Sequence, residues 1–223
     1  MKIVNSEIGI DLELKENQVN ILVVEDPISF REIIQELNGQ SRGVSGNFVL
    51  SHNNEPLIIS KNMELIIDPF NIDLNSKKIQ AKLYELIVDN FNNNLIEKMG
   101  ELNQAVASFL EFALLEIPFP VEYDMELDSV GLLKFYHVGI QKENVEFAGN
   151  IIEYMRLQNS LLNVSVLIFV NLNTVLSETE LKEVYKFAFY SKMNLVLIES
   201  QRDKQLDYEI LTIVDKDRCV IRG

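Results

Sequence analysis

The chain has 223 residues, of which 47% are hydrophobic, and this composition supports a packed core and excludes a disordered polymer. The formal net charge is −14, from 20 basic and 34 acidic side chains, so an evenly charged surface would repel nucleic acids and anionic membranes. The sequence has no apolar run of membrane-spanning length and a single cysteine, Cys219, which predicts a cytoplasmic protein without internal disulfides.

The N-terminal part is predicted to contain strands and a helix. Residues 8–14 alternate between aliphatic and polar side chains, which predicts a half-buried strand in an antiparallel part of the sheet. The runs ILVVEDP (21–27) and LIIDPF (65–70) are typical of strands buried on both faces of an α/β sheet. Asp26 and Pro27 predict the N-cap and first turn of a helix. No GxxxxGK[ST] motif occurs, so the phosphate-binding loop of a nucleotide hydrolase is missing.

The middle of the chain has a helical pattern. Apolar side chains recur at helical spacing through residues 75–91 and again through 95–116. Pro118 and Pro120 cannot continue the second helix. These features predict a helical hairpin that protrudes from the sheet domain.

In the C-terminal part, predicted helices and strands alternate again. A helix is expected over residues 145–162, followed by a third buried strand in VLIFVN (166–171). Ser177 and Glu180 have the spacing of a capping box, which predicts the start of the next helix. NLVLIES (194–200) predicts a further strand, and two short edge strands complete the chain.

An acidic turn follows the two prolines. It contains Glu122, Asp124, Glu126 and Asp128. Four carboxylates within so short a segment could converge on calcium, which prefers oxygen ligands in flexible geometry. The alternative is a solvated turn in which Asp128 caps a helix.

Other metal and catalytic sites have weaker support in the sequence. His52 and His137 lie in no zinc or nucleophile motif. Asp68 and Asp73 could bind magnesium, but they suit turns and helix caps equally well.

Lysines recur on the predicted helices. Lys78 and Lys82 form one pair four residues apart, and Lys182 and Lys186 form another, so each pair shares a helix face and could meet phosphates. Such pairs are equally typical of solvated helices. We find no alternation of aromatic and basic residues along the chain, so the sequence does not indicate stacking on a single strand.

The order of these segments resembles that of a known family. The segments are NILVVEDPISFREIIQEL, ELIIDPFNIDLNSKKIQAKLYELI, VEYDMELD and VLIFVNLNTVLSETELKEVYKFAFYSKMNLVLIES. Together they resemble the Csn-two family of CRISPR-associated proteins of type II-A systems.

The resemblance implies an α/β fold with two domains. One is a P-loop-ATPase-like head, residues 1–70 and 138–223, without a Walker A loop, and the other is an inserted α-helical leg, residues 71–137. It implies a non-enzymatic homotetrameric ring, stabilised by Ca²⁺, that binds double-stranded DNA through its ends and supports spacer acquisition. Other CRISPR adaptation proteins and the type II effector nuclease would be its partners.

The resemblance also indicates candidate site residues. The metal ligands would be Glu122, Asp124, Glu126 and Asp128, which match the family's acidic turn. No family motif fixes the channel lysines, so the candidates are those on or near the leg, namely Lys77, Lys78, Lys82, Lys134 and Lys142.

Two alternatives stay open. One is a divergent nucleotide-binding or metal-dependent phosphate-processing enzyme, with Glu25, Asp26 or Asp68 at strand ends as magnesium ligands. The other is a protein-interaction adaptor without nucleic-acid affinity.

Overall fold

The chain is a mixed α/β protein. Its structure is a computed structural model that describes residues 1–124, 126–141, 146–202 and 204–222. The strands are β1 Lys2–Asn5, β2 Ile10–Glu13, β3 Val19–Val24, β4 Val49–His52, β5 Glu55–Leu57, β6 Met63–Ile66, β7 Val166–Val170, β8 Asn194–Glu199, β9 Glu209–Val214 and β10 Val220–Arg222. The helices are α1 Pro27–Ser41, α2 Ile59–Asn62, α3 Lys77–Asn94, α4 Ile96–Leu114, α5 Ser129–Phe135, α6 Phe147–Ser160 and α7 Glu178–Tyr190.

The described residues form two compact units. One comprises those within residues 1–73 and 143–223, and the other those within residues 74–142. The first contains every strand together with α1, α2, α6 and α7, and the second contains α3, α4 and α5. We refer to them as the α/β unit and the helical unit.

A six-stranded sheet forms the centre of the α/β unit. Its order is β10-β9-β3-β8-β7-β6, with β9 to β6 parallel and β10 antiparallel at one edge. Every residue of β3 and β7 is buried, as their aliphatic runs predict. The prediction for LIIDPF was wrong in one respect. The strand β6 lies at the sheet edge and ends at Ile66, so Ile67 is 46% exposed.

A second sheet of four antiparallel strands has the order β2-β1-β4-β5. The predicted burial of Ile10, Leu12 and Leu14 is confirmed, since each is at most 4% exposed. Their strand belongs to this separate sheet, however, and not to an antiparallel part of the central one. Both sheets and α1 contribute to one apolar core, in which Ile10, Ile33 and Ile168 are buried.

Caps fix where two helices of the α/β unit begin. Asp26 caps α1, because its Oδ2 accepts hydrogen bonds from the backbone N–H and the hydroxyl of Ser29, both at 2.8 Å. The capping box of α7 is confirmed, since the Ser177 and Glu180 side chains each accept a hydrogen bond from the other residue's backbone.

The helical unit is organised around α3. The Tyr84 hydroxyl donates to the carbonyl of Val138 at 3.0 Å. Asn75 pairs with Ile140 through two hydrogen bonds of 2.8 and 2.9 Å, one in each direction. These contacts fix the 138–140 segment beside the N-terminal half of α3. Among the described residues, no helix is both long and apolar enough to cross a membrane.

Candidate functional site

Four of the five predicted DNA-binding lysines lie on helices of the helical unit. Lys77 and Lys78 occupy the first turn of α3, Lys82 the second, and Lys134 the last turn of α5. Lys77, Lys78 and Lys134 are exposed. Lys142 lies outside the described residues.

The start of α3 concentrates positive charge. A helix N-terminus carries about half a positive charge from its aligned peptide dipoles, and anions are favoured there. Lysines at this position add to that charge instead of offsetting it. Ser76, the N-cap, makes no side-chain hydrogen bond to the helix. Lys77 and Lys78 therefore place two cationic side chains at this helix start, on a chain whose net charge is −14.

Lys82 is held differently from Lys77. Its Nζ lies 2.7 and 2.8 Å from the two carboxylate oxygens of Glu85, one turn further along α3. The ion pair is exposed and contributes little to stability, but it offsets the charge that Lys82 could offer to a phosphate.

The four predicted calcium ligands are all exposed. Asp128 caps α5, because its Oδ1 accepts the backbone N–H of Val130 at 3.0 Å, as the alternative interpretation predicted. Gly131 leaves room for this carboxylate, since a Cβ there would lie 2.5 Å from Asp128 Oδ2 and the side chain of Asp128 would have to shift.

These carboxylates do not form a calcium site on their own. Among the described residues, no three or more His, Cys, Asp or Glu side chains come together in a way that could hold a metal ion. Calcium needs about six to eight oxygen ligands. The described part of one chain therefore does not fit calcium at this turn.

Of the three strand-end carboxylates of the enzyme alternative, Asp26 and Asp68 have capping roles. Hydrogen bonds from Ser29 lower the pKa of Asp26, and Arg218 Nη2 lies 3.8 Å from its Oδ2. The Oδ1 of Asp68 accepts the backbone N–H of Phe70 at 3.0 Å, which caps the short 3-10 helix Pro69–Asn71. Both carboxylates are thus engaged with backbone groups that follow them in the chain.

A buried acidic cluster, which the sequence analysis missed, lies around the end of β8. Glu199 is fully buried, and its Oε1 accepts the backbone N–H of Asn173 at 3.1 Å while its Oε2 has no hydrogen-bond partner. Glu209 is 3% exposed and accepts hydrogen bonds from Arg202, the Tyr185 hydroxyl and a backbone N–H. The one signal in the sequence was a glutamate directly after the aliphatic run NLVLI.

Burial perturbs the titration of this cluster. It raises the pKa of Glu199 from 4.5 to about 7, against the opposing effects of the Asn173 hydrogen bond and the Arg202 charge. Burial, together with the hydrogen bond to Glu209, also raises the pKa of Tyr185. Because Glu199 and Glu209 are both enclosed, we interpret the cluster as a structural connection between β8, α7 and β9.

The helical unit exposes large apolar side chains. Of the 19 residues of α4, none is buried. Phe109 is 71% exposed, Phe112 78%, and Leu115, just after the helix, 74%. Contiguous exposed apolar side chains are uncommon on monomeric proteins and mark interaction surfaces.

The fold and these features define a mixed α/β protein with a largely parallel central sheet. The chain belongs to the CRISPR-associated protein (Cas_Csn2) family, whose model matches residues 40–218. This match confirms the resemblance to the Csn-two family and shows that the protein is CRISPR-associated.

Three solved structures of ABC transporter proteins are similar to the chain. One is cbiO1 from Clostridium perfringens, part of the complex cbiONQ, with 13% identity, coverage of 92% of this chain and 76% of that one, and a TM-score of 0.47. The second, assigned to a metal-chelate type ABC transporter in an inward-facing conformation, has 7% identity, coverage of 96% and 75%, and a TM-score of 0.46. The third, assigned as an ATP-binding protein of Pyrococcus furiosus, has 9% identity, coverage of 91% and 88%, and a TM-score of 0.40. These values carry no functional argument.

Proposed function

We propose that the protein is a non-enzymatic, ring-shaped homotetramer that binds double-stranded DNA, through its ends and without sequence preference, during spacer acquisition in the cytoplasm. The observation that carries this proposal is the family match over residues 40–218. In this proposal the α/β unit is the head and the helical unit is the leg.

The basic helix start supports DNA binding by the leg. Lys77 and Lys78 lie where the α3 dipole already favours anions, and Lys134 is a further exposed cation in the same unit. Contacts of this kind recognise phosphates, so binding should be independent of base sequence and sensitive to salt. The net charge of −14 then requires that these lysines face the DNA while the excess carboxylates face away.

A second copy of the chain is the occupant we propose for the exposed apolar side chains of α4. Association of copies would bury Phe109 and Phe112, which one chain leaves open. A closed ring also explains how a strongly acidic subunit could surround DNA, since its cationic groups would be collected on one wall.

Calcium has a restricted role in this proposal. The acids Glu122, Asp124, Glu126 and Asp128 do not form a calcium site within the described part of one chain. Calcium at this turn would therefore need further oxygens from other copies or from water, and would bind the assembled ring more tightly than the single chain.

A non-enzymatic role is supported by the junction after β3. The segment EDPISF stands there, without the glycines and the lysine of a phosphate-binding loop. The Asp26 carboxylate accepts the helix N–H of Ser29, which in such loops is free to bind phosphate. A carboxylate at this place repels the anion.

Light scattering, duplex titration and an assay of phosphate release from ATP test the proposal together. We expect one closed multimer, tighter in calcium than in chelator, that binds linear duplex and releases no phosphate from ATP with magnesium. Magnesium-dependent ATP hydrolysis that is lost in Asp68→Asn would instead favour the phosphate-processing enzyme. A multimer that binds no duplex at any salt concentration would favour a protein-interaction adaptor.

Other adaptation proteins and the type II effector nuclease are the partners that this role requires. We expect them to associate with the ring and not with a single chain. Co-sedimentation of the purified proteins, with and without DNA, tests this part of the proposal.

A further inference from the structure

An aromatic cleft with two lysines lies on the α/β unit. Its volume is about 410 Å³, within the range of about 300–1,000 Å³ that is usual for small-molecule sites. The lining residues are Lys182, Tyr185, Lys186, Phe189, Asp207 and Tyr208. We call it the α7 cleft, since α7 supplies four of them.

Two of its rings form an aromatic platform. The ring centroids of Phe189 and Tyr208 are 5.7 Å apart with an interplanar angle of 73°, an edge-to-face contact that orients both rings. Tyr208 is nevertheless 66% exposed, so much of its ring remains open to a ligand. Every nucleobase has a face that can stack on such a ring, whatever its identity.

The backbone holds Tyr208 in an unfavourable conformation. Its φ is +72°, in the left-handed region that bulky side chains rarely adopt. Its carbonyl accepts the N–H of Val19 at 2.9 Å, which ties the residue to the start of β3. Strain of this kind persists where the surrounding structure enforces it, and it is concentrated at functional sites.

The lysines supply the charge that a phosphate needs. Lys182 and Lys186 are one turn apart on α7, so they share a face, and both are exposed. Among the described residues, no carboxylate is in ion-pair contact with either lysine. Glu178 is paired with Lys204 at 2.8 Å, and the charge of Lys182 acts on it as well. Asp207 is the carboxylate of the lining and could accept a hydrogen bond from a base amino group.

We infer that the α7 cleft binds one unpaired nucleotide of a DNA strand, with the base stacked on Tyr208 and a phosphate between Lys182 and Lys186. The inference rests on the proposed function, and it names the part of the DNA that this surface recognises: an unpaired nucleotide at a duplex end. Tyr208, the stacking partner, is far from Lys182 and Lys186 in the sequence, so the sequence alone does not place its ring beside the two lysines.

Duplexes that differ only at their ends test the inference. A duplex with a short single-stranded overhang and the matching blunt duplex are titrated by fluorescence anisotropy, with 2-aminopurine in the overhang to report stacking. We expect the overhang to increase affinity about tenfold, the effect of one stacked base, and to quench the 2-aminopurine.

Variants locate the effect. Tyr208→Asn removes the ring and keeps a residue that tolerates positive φ, so the fold is retained. Tyr208→Asn should abolish the overhang preference and the 2-aminopurine quenching but leave the affinity for blunt duplex unchanged. Tyr208→Phe should keep the overhang preference and the quenching. Tyr190→Ala is the matched control, because Tyr190 is 90% exposed on the same helix outside the cleft. Lys182→Gln with Lys186→Gln should also remove the preference. Lys216→Gln should not, because Lys216 is an exposed lysine of the turn between β9 and β10 and does not line the cleft.

The outcomes separate this inference from the proposed function. If overhang and blunt duplexes bind equally, or if Tyr208→Asn changes nothing, the cleft is not a nucleotide site, even though the proposed duplex-binding ring stands. If 2-aminopurine in a short single strand is quenched in a Tyr208-dependent way while no duplex binds, the cleft is confirmed and the duplex-binding ring fails. If free deoxynucleoside monophosphates bind with the same affinity as the overhang duplex, the cleft does not recognise DNA ends.

Discussion

Replacing the buried Glu199 with glutamine should stabilise the protein at high pH and have a much smaller effect at low pH. Burial raises the pKa of this carboxyl to about 7, while the unfolded chain has the ordinary value of 4.5. The folded state therefore holds its proton more tightly. The contribution of Glu199 to stability is therefore greatest below pH 4.5, is lost as the pH rises through about 7, and is constant above it.

The size of this effect follows from the pKa difference. Each unit of pKa difference is equivalent to about 1.36 kcal/mol. The difference of about 2.5 units between folded and unfolded Glu199 therefore lowers the free energy of unfolding at pH 8 by about 3 kcal/mol relative to low pH. Glutamine resembles the protonated carboxyl and avoids this loss. Any packing defect caused by glutamine acts equally at both pH values and cancels in the comparison.

Urea unfolding at pH 5 and at pH 8 measures the effect. The gain in free energy of unfolding from Glu199→Gln should be larger at pH 8 by about 2–3 kcal/mol. Glu183→Gln, an exposed change on α7, is the matched control. A gain that is identical at the two pH values would show that Glu199 is already ionised in the folded protein, and the account of its burial would be wrong.

Three further predictions follow from the described contacts. Ser177→Ala removes the capping box of α7 and should lower the free energy of unfolding, measured in urea, by about 1 kcal/mol. Ser160→Ala should have a smaller effect, because Ser160 is the exposed last residue of α6 and caps no helix start. Phe169→Ala opens a cavity in the fully buried β7 and should cost about 3–5 kcal/mol, visible as a large fall in the denaturation midpoint. Lys77→Gln should reduce the slope of log affinity for duplex against log salt concentration by about one phosphate contact. Lys82→Gln should reduce this slope by less, because Glu85 already pairs with Lys82. Equal reductions in the two variants would contradict this difference.

The sequence predicted the buried strands well but not their place in the sheet. The aliphatic runs ILVV of β3 and VLIFV of β7 predict burial on both faces, because no polar residue interrupts these runs. The run LII (65–67) is also aliphatic, yet β6 lies at the sheet edge. Strand order depends on contacts between distant segments, and periodicity does not contain that information.

The four-stranded antiparallel sheet was largely missed for a local reason. Its strands β4 and β5 have four and three residues, and β5 contains Pro56, which weakens any strand pattern. Of that sheet, only β2 has clear alternation, so only β2 was predicted.

Prediction of the candidate sites from the sequence was limited in the same way. The sequence predicts helix caps such as Asp26 and Ser177, since a cap depends on residues three positions apart. It did not predict the cluster of Glu199 with Glu209, or the approach of Tyr208 to Phe189, because the chain must first pair β3 with β8 and β9. The lysine pair on α7 was visible, but not the ring beside it.

The central claim is that a closed ring of subunits admits duplex DNA through its ends. The most direct measurement compares binding of a linear duplex with binding of a covalently closed circle of the same sequence, by gel shift at low salt with calcium present. We predict that the linear duplex is bound, that the circle is not, and that linearising the circle restores binding. Equal affinity for circle and linear duplex, or failure to bind either, would contradict the account.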